Sequence, residues 1–189
     1  MRRWMALAVS LLIAGCTAAP PITYLRLAPV PGPTLTATGT PVTVAHVVMP
    51  PVVDRLALVT ETGESTLETA ENANWAAPLD EMATTVLAQD LASRLPRIAV
   101  LMPGEVLPSG GVRTVRVDVL RFLPVNGASR GYVALDADWQ VLSAPGTVTE
   151  SGRSGIRVPR APGAPAAAAA MSTALGRLAD RIAAALARG

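Results

Sequence analysis

Few residues in this chain are of types and spacings that do chemistry. There is one cysteine, Cys16, one histidine, His46, and one close pair of aspartates in a periodic segment, Asp136 and Asp138. Nucleophilic catalysis of the Ser-His-Asp or Cys-His kind needs a histidine base held by a third group. His46 would have to supply it, yet it stands among valines in VTVAHVV, and no Gly-x-Ser-x-Gly elbow occurs. A satisfied structural histidine is the expectation. Two carboxylates can share acid–base work, but aspartates alternating along a strand read as its wet face. No spacing of His, Cys and carboxylates suits a metal. The chain contains no lysine and no glycine-rich phosphate loop, so it is not itself an ATPase. No catalytic residue, metal or other cofactor is expected, and the chain reads as a non-enzyme.

Cys16 is different, because its surroundings specify a reaction. Arg2 and Arg3 precede an apolar run from Met5 to Ile13, and Ala14-Gly15 stand immediately before the cysteine. A charged n-region, a short apolar h-region and small residues at a cut point make a secretory signal peptide. Leu12-Ile13-Ala14-Gly15-Cys16 resembles the bacterial lipobox, in which the peptidase cuts before the cysteine and the cysteine carries acyl chains. The run is too short for a bilayer, which takes roughly 20 residues. One acyl chain holds a membrane marginally and stable anchoring takes more than one signal, whereas a lipoprotein cysteine of this type carries three chains. The expected organisation is a signal peptide over 1–15, a lipidated N-terminus and tether over 16–21, and one domain over 22–189. Thr17 follows the cysteine where, in enterobacterial-type sorting, an aspartate retains a lipoprotein at the inner membrane. The expectation is therefore the outer membrane, facing the periplasm.

Charge narrows the partners. All 16 basic residues are arginine; Arg2 and Arg3 precede the cut, leaving 14 against 14 acidic residues. A phosphate backbone is recognised by clustered excess positive charge, so nucleic acid is not an expected partner. Arg153, Arg157 and Arg160 form a loose cluster that reads as a solvated loop. With one cysteine no internal disulfide can form, and the domain must be held by packing.

The elements follow from periodicity. Ile22–Leu27 reads as a first strand. Ala28–Pro41, with four prolines and two glycines, reads as a long loop. Val42–Val48 reads as a strand with Val42, Val44, His46 and Val48 on one face. Leu56–Thr60 and Thr66–Ala70 read as a hairpin around Thr62-Gly63-Glu64. Leu79, Met82, Ala83, Val86, Leu87, Leu91 and Leu95 recur at helical spacing, with Asp80, Glu81, Gln89, Asp90 and Arg94 off that face. Pro78 and Pro96 bracket this helix. Ile98–Met102 is a short strand. Val115, Val117 and Val119 alternate with Arg116 and Asp118, and Val133, Leu135, Ala137, Trp139 and Val141 alternate with polar residues and Ala134. Thr147–Val158 is a weaker strand, Pro159–Pro165 a linker, and a last helix runs from about Ala166 to Ala187. The fold class is α+β: a single domain with a mostly antiparallel or mixed sheet packed against two long helices.

The order of these features resembles a known family. After Cys16 come Tyr24-Leu25-Arg26-Leu27, then Val47-Val48-Met49-Pro50 with Asp54-Arg55. Asn74-Trp75-Ala76-Ala77-Pro78-Leu79-Asp80 opens a helix. Val117-Asp118-Val119-Leu120-Arg121-Phe122 and Ala137-Asp138-Trp139 follow, and Ala170-Met171-Ser172 opens the last helix. Across the mature chain this is similar to the ABC-type transport auxiliary lipoproteins, the paraquat-inducible C-type (PqiC-like) family. One departure is Pro51-Val52-Val53, where many members carry an aromatic or leucine ahead of the Asp-Arg turn.

The resemblance implies an accessory subunit of an MCE-type lipid transport system that includes an inner-membrane permease. The lipoprotein would dock the periplasm-spanning MCE protein at the outer membrane and support envelope integrity. Ring-forming members imply a homo-oligomer. The alternative is a free-standing envelope lipoprotein that chaperones an outer-membrane protein. The partner-binding candidates are Pro50, Pro51, Asp54, Arg55 and Trp75, with Ala28–Pro41, Pro50–Arg55 and Ser151–Pro165 as the segments that would carry the surface. Trp139, on the apolar side of its strand, is expected in the core. Trp75 is expected either to staple the helix start or to face a partner.

Overall fold

A computed structural model describes residues 20–127 and 131–188. Eight strands and two helices follow in the order β1 (Thr23–Leu25), β2 (Val42–Val44), β3 (Ala57–Gly63), β4 (Thr66–Trp75), α1 (Leu79–Arg94), β5 (Val100–Leu101), β6 (Arg113–Val125), β7 (Tyr132–Leu142), β8 (Val148–Pro159) and α2 (Ala164–Leu186). This is the α+β domain that the periodicity calls for.

The long strands β6, β7 and β8 form an antiparallel meander. On the other side of β6, β2 pairs in parallel with its first residues and β3 meets its last one, Val125. β4 returns antiparallel to β3, and β1 lies parallel to the end of β4. The sheet is therefore mixed. Both helices pack on it and on each other, α2 against β6, β7 and β8 and α1 against β2 and β5. Val133, Leu135, Ala137, Trp139 and Val141 of β7 are all buried, so the core lies where the period-2 pattern put it.

α1 starts after Pro78, carries Asp80 and Glu81 in its first turn and Arg94 in its last, and ends at Leu95-Pro96. That charge order complements the helix dipole. α2 is alanine-rich, which favours helix. It starts after Gly163, whose φ of 99° is open to glycine and closed to other residues. Its last turn holds no basic residue of its own. Arg113 of β6 supplies one, its Nη1 donating to Leu186 O at 3.1 Å.

Several boundaries differ from the periodic reading. The strand read over Val42–Val48 stops at Val44. Beyond it the phase reverses: Val47 is fully buried, while His46 and Val48 are exposed. β4 continues through Trp75, so this tryptophan ends a strand and does not sit in a loop. β8 is a full strand of 12 residues despite Gly152 and Gly155. Gly152 is needed there, because a Cβ would collide with the Trp139 ring, whose Nε1 donates to Ser154 Oγ at 3.1 Å.

Candidate functional site

The anchoring cysteine, Cys16, lies outside the described residues. What the structure shows is how the chain beyond it is held. The Ala28–Pro41 segment is not a free loop. It is strapped across both helices by polar side chains that α1 and α2 present inward and by the last carbonyl of α1. Ala28 N donates to Ser172 Oγ at 3.1 Å, Val30 N to Asp90 Oδ1 at 2.8 Å, and Leu35 N to Arg94 O at 2.7 Å.

Arg94 is the centre of this attachment. Its side chain is 1% exposed, and that of Asp90 is 0%. Its Nε donates to Asp180 Oδ1 at 2.6 Å, its Nη1 to Val30 O at 3.1 Å and to Asp90 O at 2.9 Å, and its Nη2 to Gly176 O at 3.0 Å. Gly32 lies directly on the guanidinium, where any Cβ would clash, and Gly176 lets α2 approach Val30 and Arg94. Burial pushes the Asp90 carboxyl above its ordinary 3.8, against the Val30 N–H and the Arg94 charge, which pull it down. Helical periodicity places Asp90 and Arg94 on the polar face, and the structure overturns that. The i,i+4 spacing of an acid and an arginine was the available signal, but nothing local says that a strap covers it.

The Pro50–Arg55 segment is a compact turn. Val53 N and Asp54 N both donate to Pro50 O, at 3.0 and 3.2 Å. Val53 is buried and pins the turn to the core, while Pro51, Asp54 and Arg55 are exposed and Pro50 is half-buried. Around it Val48, Val52, Leu56, Leu67 and Leu120 keep large apolar side chains in solvent. A cleft of about 350 Å³ separates the turn from the β3–β4 connection, with Pro50, Val52, Leu67 and Leu120 in its lining. Scattered apolar residues on a surface are ordinary; the gathering of Val52, Leu67 and Leu120 at one cleft makes it the candidate docking surface.

Trp75 does not belong to that surface. It is 2% exposed, opposite Leu25 of β1, with its backbone N–H donated to Leu56 O at 2.6 Å. A side chain so enclosed stabilises the junction of β1, β4 and α1 and cannot touch a partner, which corrects its place among the binding candidates. Ser151–Pro165 also needs correction: Ser151–Pro159 belongs to β8, leaving only 160–163 as connection.

The acid–base candidates are held in other work. Asp138 accepts from Arg153 Nε and Nη2 at 2.6 and 2.7 Å, and Asp136 from Arg157 Nη1 and Nη2 at 2.9 and 3.1 Å. These are bidentate cross-strand pairs on the outer face of the sheet. The Arg153 hydrogen bonds hold the Asp138 carboxyl below its ordinary value, and those that Arg157 donates to Asp136 raise Arg157. Arg153 and Arg157 are thus strand residues in ion pairs, not members of a loop. His46 is exposed, and its Nε2 meets Asp80 Oδ2 at 2.7 Å. Among the described residues no group of three His, Cys, Asp or Glu could hold a metal, and no helix is long and apolar enough to cross a membrane.

What this arrangement can do is bind. It offers a pinned N-terminal strap, an apolar cleft beside an exposed turn, and a charged outer sheet face. No curated protein matches the sequence. Among solved structures, protein XCC0632 from Xanthomonas campestris superposes with a TM-score of 0.69 at 17% identity, covering 88% of this chain and 94% of that one. An uncharacterized protein superposes with a TM-score of 0.68 at 20% identity, covering 89% and 98%. Both show the same fold over nearly the whole domain. The sequence matches the ABC-type transport auxiliary lipoprotein component family over residues 24–183. The match takes in the strap, the Pro50–Arg55 turn, both helices and the whole meander, and on that extent the chain belongs to this family.

Proposed function

We propose that this protein is the lipid-anchored accessory subunit of an MCE-type lipid transport system. It sits on the periplasmic face of the outer membrane through Cys16 and docks the MCE protein that reaches across from an inner-membrane permease. The observation that carries this reading is the extent of the family match, residues 24–183, which leaves little of the domain for any unrelated role. The lipobox ending at Cys16 supplies the anchor, and Thr17 supports the outer membrane. The apolar cleft beside Pro50–Arg55 offers a surface of the kind partners bury, an apolar centre with a polar rim. Self-association into a ring is part of the same proposal.

Two measurements test it. Cys16→Ser should leave the precursor uncut and unacylated, with the protein lost from outer-membrane fractions. An unmodified mature Cys16 in the wild type by mass spectrometry would contradict the anchor. Purification of the lipidated protein from membranes should bring with it an MCE protein and a permease. Recovery with an outer-membrane protein alone would favour a free-standing assembly lipoprotein.

A further inference from the structure

The two long sides of the sheet are finished differently. On one side β8 is the outer strand, and its edge is occupied. Arg177 Nη1 donates to Arg157 O at 3.2 Å and Arg181 Nη2 reaches Gly155 O at 3.5 Å, both from α2. Pro159 has no N–H to offer there. Side chains and proline of this sort blunt an edge against added strands. On the other side, β4 pairs with β3 through Thr66, Leu67, Glu68 and Thr69, and β1 covers only Ala73, Asn74 and Trp75. Among the described residues no strand lies along the outer side of Thr66–Asn72. The chain's own N-terminus approaches that side, since β1 starts at Thr23 opposite Ala73 and runs parallel to β4. Pro20 and Pro21 interrupt it, because neither can donate to a ladder.

The open edge also has one sign of charge. From Ala57 to Trp75 the hairpin contains Glu61, Glu64, Glu68 and Glu71 and no arginine. Glu61 is paired with Arg121 at 2.6 Å; Glu64, Glu68 and Glu71 make no ion pair among the described residues. Beside the edge lies a cleft of about 390 Å³ with Glu68, Thr69 and Ala70 on one wall and Ala164 and Ala167 of α2 on another; Arg160, whose Nη2 donates to Asn126 Oδ1, also lines it. The small alanines leave room for the side chains of one more strand.

We propose that Thr66–Asn72 is a docking edge for an extended, arginine- or lysine-bearing segment of a partner protein, which adds as a strand beside β4. Main-chain pairing supplies affinity in such additions, and alternate side chains supply specificity. Here Glu64, Glu68 and Glu71 select for basic side chains, and the cleft, which Arg160 also lines, takes the small apolar side chains of the alternate positions. The proposal rests on the docking reading above and adds where and by what chemistry a partner is held.

The test uses the lipidated full chain in detergent and two labelled peptides, one alternating arginine with valine and one with glutamate in place of arginine. The arginine peptide should bind saturably and slow amide exchange at Thr66–Asn72 but not at Arg153–Pro159. Glu68→Arg combined with Glu71→Arg should weaken it about tenfold and turn the preference toward the glutamate peptide, with the thermal melt unchanged. Equal binding of the two peptides, or binding without protection at Thr66–Asn72, would overturn the proposal. So would protection already present without peptide: a second copy covers the edge if it grows with protein concentration, the chain's own N-terminus if it does not. In any of these cases co-purification with transport components would still report on the docking reading, so the two failures are separable.

Discussion

Arg94 shows how much one side chain can organise. It joins the strap, α1 and α2 through Val30, Asp90, Gly176 and Asp180, from a site closed to solvent. Removing one partner of a buried charged network leaves the others uncompensated, so Arg94→Ala should cost about 3–5 kcal/mol in denaturant melts. Replacing Arg94 by Met together with Asp90 by Leu should cost less, because the one carboxylate left without its partner, Asp180, is partly exposed and can be solvated. Asp90 makes a second, separable contribution. One of its oxygens, Oδ2, has no partner among the described residues, and burial raises its pKa on folding above 3.8. The native state then holds the proton more tightly than the unfolded chain. Stability from this group is greatest below pH 3.8, falls as pH rises toward the raised folded value, and is flat above it. In Asp90→Asn that falling limb should disappear from stability measured against pH. A limb of unchanged slope would show that another group causes it.

At the scale of elements, the long periodic segments were legible and the short ones were not. β6 and β7 bury alternate residues as their valines require, and Trp139 lies in the core that its face indicated. α1 starts directly after Pro78 and ends two residues before Pro96. The strand after Val42 failed because the backbone changes phase past Val44. The bridge from Val48 to Asp118 and the Thr84 hydroxyl that accepts from Val47 N are contacts distant in sequence. β8 read as weak because its glycines lower strand propensity, whereas the structure uses Gly152 to seat the Trp139 ring. The strap was invisible for the same reason as Arg94: its hydrogen bonds come from helices more than 50 residues away. α2 carries a prediction of its own. Gly163 precedes it at φ 99° and ψ 154°, a region open to glycine alone. Gly163→Ala should destabilise the domain by about 1–3 kcal/mol, measured as a shift in denaturant midpoint with unchanged slope. A shift near zero would mean that the start of α2 relaxes freely.

At the scale of the molecule, the sheet, strap and helices pack into one domain that presents sheet edges and turns to solvent. Of the site foreseen from sequence, the Pro50–Arg55 turn is exposed at an apolar cleft, while Trp75 went inward because β4 extends far enough to carry it under β1. Composition cannot distinguish a tryptophan that serves the core from one that serves a partner; only the length of β4 decides it. The family match makes the chain an auxiliary lipoprotein component of ABC-type transport, and partner capture at a membrane is what we propose for it. The most direct measurement is site-specific photocrosslinking in intact cells, from Val52, Arg55 and Leu67 beside the cleft and from Gln140 on the outer sheet face as comparison. The account predicts that the cleft positions trap an MCE-type protein and that Gln140 does not. A folded, lipidated and abundant protein that yields no such crosslink from any cleft position would contradict it.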